Sequence, residues 1–148
     1  MEHSAIDTRA LGDSENRYGP TSARALPDAR RRLETRTVDI HAHVAVPEAA
    51  AYAAPHGNLA DIAMVRHTNA ETKKINAVQD RDRTVAITDF DDRMRVLDAM
   101  GIDFQLVAPP PVQCYYHLPA EHAVAASRMV NDGLAGFVAR RPDRLAAL

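Results

Sequence analysis

The sequence predicts an α/β protein built on a parallel sheet. Three observations carry this. Apolar and polar residues alternate strictly over Thr37–Val44; a capped amphipathic helix follows at residues 89–101 and runs into a second apolar strand at Ile102; and the strand–helix–strand order repeats through Leu148. Elements in this order favour parallel strands joined by right-handed crossovers. The sheet reads as unfinished, because the third strand has only begun when the sequence stops.

Taken in order, residues 1–36 read as a mobile leader. They hold seven Arg, six acidic residues and few aliphatics, too little apolar surface to offset the entropy of ordering. The run Arg30-Arg31-Arg32 sits beside Asp28 and Glu34 and reads as a solvated tail. Order begins at Thr37. Val38, Ile40, Ala42 and Val44 are expected on one face of the first strand, with Asp39, His41 and His43 on the other. Residues 45–88, Ala-rich and then mixed, with Pro55, His56 and Gly57 breaking any helix, are expected to form an irregular insert with one short helix.

The next unit is well punctuated. Asp89 is a plausible N-cap, Asp91 and Asp92 suit the first turn, and Phe90, Met94, Leu97 and Met100 form one stripe. Gly101 stands where a left-handed C-terminal residue is wanted. Strand two, Ile102 to Ala108, stops at Pro109-Pro110-Pro111. Pro119 opens a longer helix whose buried face is Ala123, Ala126, Val130, Leu134, Phe137 and Val138, and Pro142 ends it. Arg144–Leu148 looks like the opening of a third strand.

Composition excludes several function classes. In 148 residues, 18 Lys plus Arg oppose 20 Asp plus Glu, for a net charge of −2. That balance argues against nucleic-acid and anionic-membrane partners. No apolar run is long enough to span a bilayer, and the acidic N-terminus lacks a signal core. A single cysteine, Cys114, cannot form an internal disulfide, which makes a reducing cytoplasm the default location and a semi-buried thiol its default role.

The chemistry concentrates at His41-Ala42-His43. Two histidines two apart on a strand share a face, with Cα atoms roughly 7 Å apart. Their rings can converge on one ion at Zn–N distances of about 2.0–2.1 Å. The same pair could also simply hydrogen-bond to backbone or solvent. Asp39 could orient an imidazole from one layer below, or only bond within the sheet floor. His56, His67 and His122 read as surface residues, and Met94, Met100 and Met129 as core filler.

Val38-Asp39-Ile40-His41-Ala42-His43 resembles the first-strand metal motif of the amidohydrolase superfamily. The stretch from Arg93 to Leu106 is similar to a helix–Met/Gly–strand segment of its aminocarboxymuconate-semialdehyde decarboxylase-like group. Ala108–Tyr116, Arg128–Val138 and Arg141-Pro142-Asp143-Arg144 resemble that group's next loop, helix and exit. The likeness covers residues 37–148, poorly over 45–80. It implies an incomplete (β/α)₈ TIM barrel, consisting of the first two β/α units and the start of strand 3; a complete barrel needs roughly 200 to 250 residues.

The implied activity is metal-dependent, non-redox decarboxylation of an unsaturated or aromatic carboxylic acid, a small-molecule substrate. Hydrolysis of an amide or lactone on the same scaffold is the neighbouring alternative. On that pattern His41 and His43 bind a divalent metal, most often Zn. Arg81, with Arg83 as a rival, would hold the substrate carboxylate through its planar fork. Tyr116 and His117, in the loop after strand two, would border the pocket. The family's remaining ligands and catalytic groups fall after strand two, so the resemblance assigns no catalytic residue here. It makes the chain an N-terminal fragment, inactive alone, of a parent enzyme expected to be a homo-oligomer. A non-catalytic fragment that pairs with a missing remainder, or with itself, is the reading of another class.

Overall fold

A computed structural model describes residues 35–148, so the expected leader over residues 1–36 lies almost wholly outside the described residues. Strands β1 (Val38–His43), β2 (Phe104–Ala108) and β3 (Leu145–Ala147) form one parallel sheet in the order β1-β2-β3. Helices α1 (Pro47–Ala53), α2 (Ala63–Arg66), α3 (Ala70–Thr88) and α4 (Phe90–Met100) connect β1 to β2, and α5 (Ala120–Ala139) connects β2 to β3. The expected strand–helix order and parallel pairing are both present.

The punctuation behaves as the residue chemistry dictates. Asp89 Oδ1 accepts the Asp92 N–H at 2.7 Å and caps α4. Gly101 ends α4 in the left-handed region, φ 69° and ψ 28°, where a side chain would be strained. Two apolar clusters fill the space between the sheet and the helices. One centres on Val44, Val107, Val130 and Leu134, the other on Phe90, Leu97, Ile102 and Leu145, and Phe137 and Val138 of α5 pack against both.

The long connection departs from the expected irregular insert. Most of it is helical, and α3 alone takes 19 residues. Asn69 caps α3 by accepting the Thr72 N–H at 2.8 Å, and no Gly or Pro interrupts residues 70–88. The helix buries none of its residues, so no apolar stripe marks it in the sequence. Its stability draws on capping, helix propensity and surface pairs such as Lys74 with Glu71 and Arg83 with Asp80.

The two faces of β1 also differ from expectation. Val38 pairs with Phe104 and Asp39 with Gln105, but the next partners are Ala42 with Val107 and His43 with Ala108. Three steps along β1 thus match two along β2. The extra residue is a bulge, and it reverses side-chain parity. Asp39 therefore joins Ala42, Gln105 and Val107 on the helix-covered face. Val38, 48% exposed, and Ile40, 73% exposed, lie on the open face with the two histidines. A period-2 pattern cannot register such an inserted residue.

Behind the bulge lies a network that the sequence did not mark. Arg93 of α4 is buried at 7% exposure. Its guanidinium donates to Gln105 Oε1 at 2.6 Å, to the His43 carbonyl at 2.6 Å and to the Ala86 carbonyl at 2.8 Å. Gln105 in turn donates to Asp39 Oδ2 at 2.7 Å. Burial lowers the Arg93 pKa from its ordinary value, and the carboxylates of Asp39 and Asp92 oppose that shift.

Arg93→Ala leaves buried carbonyls and a carboxylate without their cation. A loss of about 3–5 kcal/mol is expected in urea unfolding, against less than about 1 kcal/mol for the exposed Arg95→Ala. Equal midpoints for the two variants would contradict this account of the network. A Cβ on Gly133 would stand 2.7 Å from Val46 Cγ1, whereas one on Gly136 meets nothing within 4 Å. Gly136→Ala should therefore stabilise α5 by roughly 0.5–1 kcal/mol. Gly133→Ala should instead lower the melting temperature by overpacking, at a cost of about 1–3 kcal/mol.

Candidate metal centre

His41 and His43 end β1 with their ring centroids 5.1 Å apart and their planes at 78°. Both flank Ala42, which packs into the core, so both project onto the open face of the sheet. His41 is exposed and His43 half-buried. His43 Nδ1 lies 3.4 Å from the Ala108 carbonyl of β2. A long hydrogen bond there selects the tautomer with Nε2 free, which is how metal-binding imidazoles are commonly oriented.

The main chain around the pair is held from the other side of the sheet. Asp39 Oδ1 accepts the His41 N–H at 3.0 Å, and Arg93 donates to the His43 carbonyl. Asp39 thus does not sit below the rings on their own face. Its carboxylate acts on the backbone of the bulge. Two imidazoles with free nitrogens on one face fit a divalent metal as half of a tetrahedral set. Among the described residues, no group of three or more His, Cys, Asp or Glu side chains is placed to hold an ion.

The other residues singled out from sequence lie apart from this pair. Arg81 is on the solvent side of α3, its side chain 64% exposed and 3.4 Å from Asp82 Oδ1. Tyr116 is 93% exposed. It borders, with Cys114, Ser127, Arg128 and Asn131, a groove of about 490 Å³ between α5 and the loop after β2. His117 is half-buried in that loop, its ring centroid 6.3 Å from that of Tyr115. None of the three lines the open sheet face with His41 and His43 in a described contact.

Two polar features escaped the sequence reading. Gln113, in the short 3₁₀ turn Pro111–Cys114, is buried, and its amide accepts the Val46 N–H at 2.9 Å and donates to the Val46 carbonyl at 2.8 Å. This two-point clamp ties the loop after β1 to the loop after β2. The second is His122, read as a surface residue. It stacks on His56 with centroids 3.6 Å apart, and its Nδ1 is 3.1 Å from the Tyr52 hydroxyl. Contacts across 66 residues of chain leave no local spacing to read.

No protein-family model matches the chain, and no curated protein does. Among solved structures, the chain is similar to 5-carboxyvanillate decarboxylase LigW from Sphingomonas paucimobilis, with a TM-score of 0.52 and 22% sequence identity over 76% of this chain. That is a likeness of fold. The chain spans 33% of the length of that neighbour. No helix among the described residues is long and apolar enough to cross a membrane.

Gln113→Ala removes the acceptor of the Val46 N–H and one of two donors to the Val46 carbonyl, which keeps the Ala50 N–H at 3.3 Å. The expected cost is about 2 kcal/mol in chemical denaturation, and amide exchange at Val46 should rise above that of the neighbouring core. Unchanged protection at Val46 would mean that the clamp does not hold the loop.

Proposed function

We propose that this chain supplies the first two β/α units of a metal-dependent carboxy-lyase of the amidohydrolase superfamily, acting on an unsaturated or aromatic carboxylic acid. The observation that carries the reading is the pair of same-face imidazoles at the carboxyl end of an opening parallel strand. In barrels of parallel strands, that end carries the chemistry. The fold likeness to a decarboxylase is in keeping with this reading, and hydrolysis of an amide or lactone on the same scaffold is the alternative. The open apolar face fits the interior of an incomplete (β/α)₈ barrel, with Val38, Ile40, Phe104, Leu106 and Ala146 as side chains that further units would cover.

In this reading His41 and His43 bind the ion through Nε2, and zinc, one of the metals imidazole suits, is the one the resemblance implies. The bound ion would supply Lewis-acid stabilisation of developing negative charge. His43 is set by the Ala108 carbonyl, and His41 by the bulge whose N–H bonds to Asp39. Arg81 is the candidate for the substrate carboxylate, with Tyr116 and His117 as its neighbours. These three assignments rest on the resemblance. The described residues supply two ligands, fewer than the three a catalytic zinc site takes.

Zinc affinity measured by competition dialysis tests the ligand pair. Substituting His41 or His43 by Ala should weaken binding at least about tenfold, or 1.4 kcal/mol, while His122→Ala leaves it unchanged. Binding that survives both substitutions would overturn the assignment. The unaided chain should release no CO₂ from aromatic carboxylates, and turnover by it would show that the site is complete without further units.

A further inference from the structure

We infer that Asp39 and Gln105 are positioning residues for the metal. With Arg93 they clasp the His41-Ala42-His43 main chain from behind the sheet, and so set the affinity of the imidazole pair. The inference rests on the proposed reading of the two histidines as ligands and adds what holds them at binding distance.

The clasp is a closed chain of hydrogen bonds. The His41 N–H donates to Asp39 Oδ1 at 3.0 Å, and Asp39 Oδ2 accepts from Gln105 Nε2 at 2.7 Å. Gln105 Oε1 accepts from Arg93 at 2.6 Å, and the same guanidinium donates to the His43 carbonyl at 2.6 Å. The chain thus begins on the first N–H of the tripeptide and ends on its last carbonyl. Every link is directional. An arginine has donors only and an ionised carboxylate acceptors only, so the Gln105 amide between them has a single orientation. Gln105 is 5% exposed and Arg93 7% exposed. Hydrogen bonds to charged groups in such surroundings are the strong ones.

The place of the clasp gives it a role beyond packing. The register of β1 slips between Asp39 and Ala42, and the ladder is locally disrupted where an extra residue is inserted. His41 lies in that slip, yet its ring must stand beside that of His43, at 5.1 Å between centroids, for one ion to reach both. The His43 ring has a tether of its own in the Ala108 carbonyl. The His41 ring has no such bond, so its direction depends on its main chain, which the Asp39 carboxylate holds. Asp39 and Gln105 share the helix-covered face with Ala42 and Val107, opposite the rings. They act on the ion only through the backbone.

Zinc competition with a chelating dye, on full-length chain shown to be folded by circular dichroism, tests the inference by exchanging the amide and the carboxylate. Asp39→Asn keeps an acceptor for the His41 N–H but turns a donor toward the Gln105 amide. Gln105→Glu sets a second carboxylate against that of Asp39. Each alone should weaken zinc binding at least about tenfold. Combined, they restore the pattern, the new amide donating to the new carboxylate, which still accepts from Arg93, and most of the affinity should return. The unsubstituted chain supplies a second readout. Because coupling is reciprocal, zinc on the open face should shift the Gln105 side-chain amide resonances and slow exchange of the His41 N–H. Binding that is lost in His41→Ala and His43→Ala but unmoved by Asp39→Asn and Gln105→Glu would overturn the clasp and leave the ligand reading intact. So would single variants that lower only the urea midpoint, or a double variant that binds no better than they do. Where a variant does not fold, a Gln105 amide unmoved at saturating zinc decides against the clasp. Binding indifferent to both histidine substitutions would remove the ligand reading itself.

Discussion

A buried guanidinium holds this structure in register. Arg93 gathers the carbonyl of His43 at the end of β1, the carbonyl of Ala86 near the end of α3, and the side chain of Gln105 in the middle of β2. A buried charge of this kind is costly, and the three oxygens it donates to and the carboxylates nearby offset that cost. Asp39 and Asp92 are those carboxylates. Three elements far apart in sequence are thereby fixed to one planar group, and the orientation of the histidine strand follows from it.

The consequence is an inversion of the usual layering. The helix-covered side of β1 carries Asp39 and its polar network, and the open side carries Val38 and Ile40. The bulge between Asp39 and Ala42 makes this arrangement possible, because one extra residue moves the preceding pair to the other face. Beyond the bulge Ala42 and Val44 turn into the core, and His41 and His43 stand together outside it. The open face therefore carries Val38 and Ile40 along β1 and the two histidines at its end.

What was legible in the sequence was whatever local chemistry encodes. The Asp89 cap, the left-handed Gly101, the stripe of α5 from Ala126 to Leu134 and the parallel order of strands could all be read from spacing. The histidines could be placed on a common face because i and i+2 share one unless a bulge falls between them. The bulge spans Ile40 and His41 and so ends before the step from His41 to His43. Helix α3 was hidden because it buries no stripe. Arg93 and Gln113 were hidden because a buried polar side chain is recognisable only by its partners, and those lie in distant segments. His122 looked like a surface residue for the same reason, its contacts with His56 and Tyr52 being tertiary.

The central claim is that His41 and His43, among the seven histidines of the chain, jointly bind one ion through Nε2. Imidazole ¹⁵N correlation spectra recorded during zinc titration test it most directly. The Nε2 resonances of these two rings should move together with a shared saturation point, while those of His56, His117 and His122 stay in place. Movement of only one of the pair, or of the His56–His122 stack instead, would contradict the account.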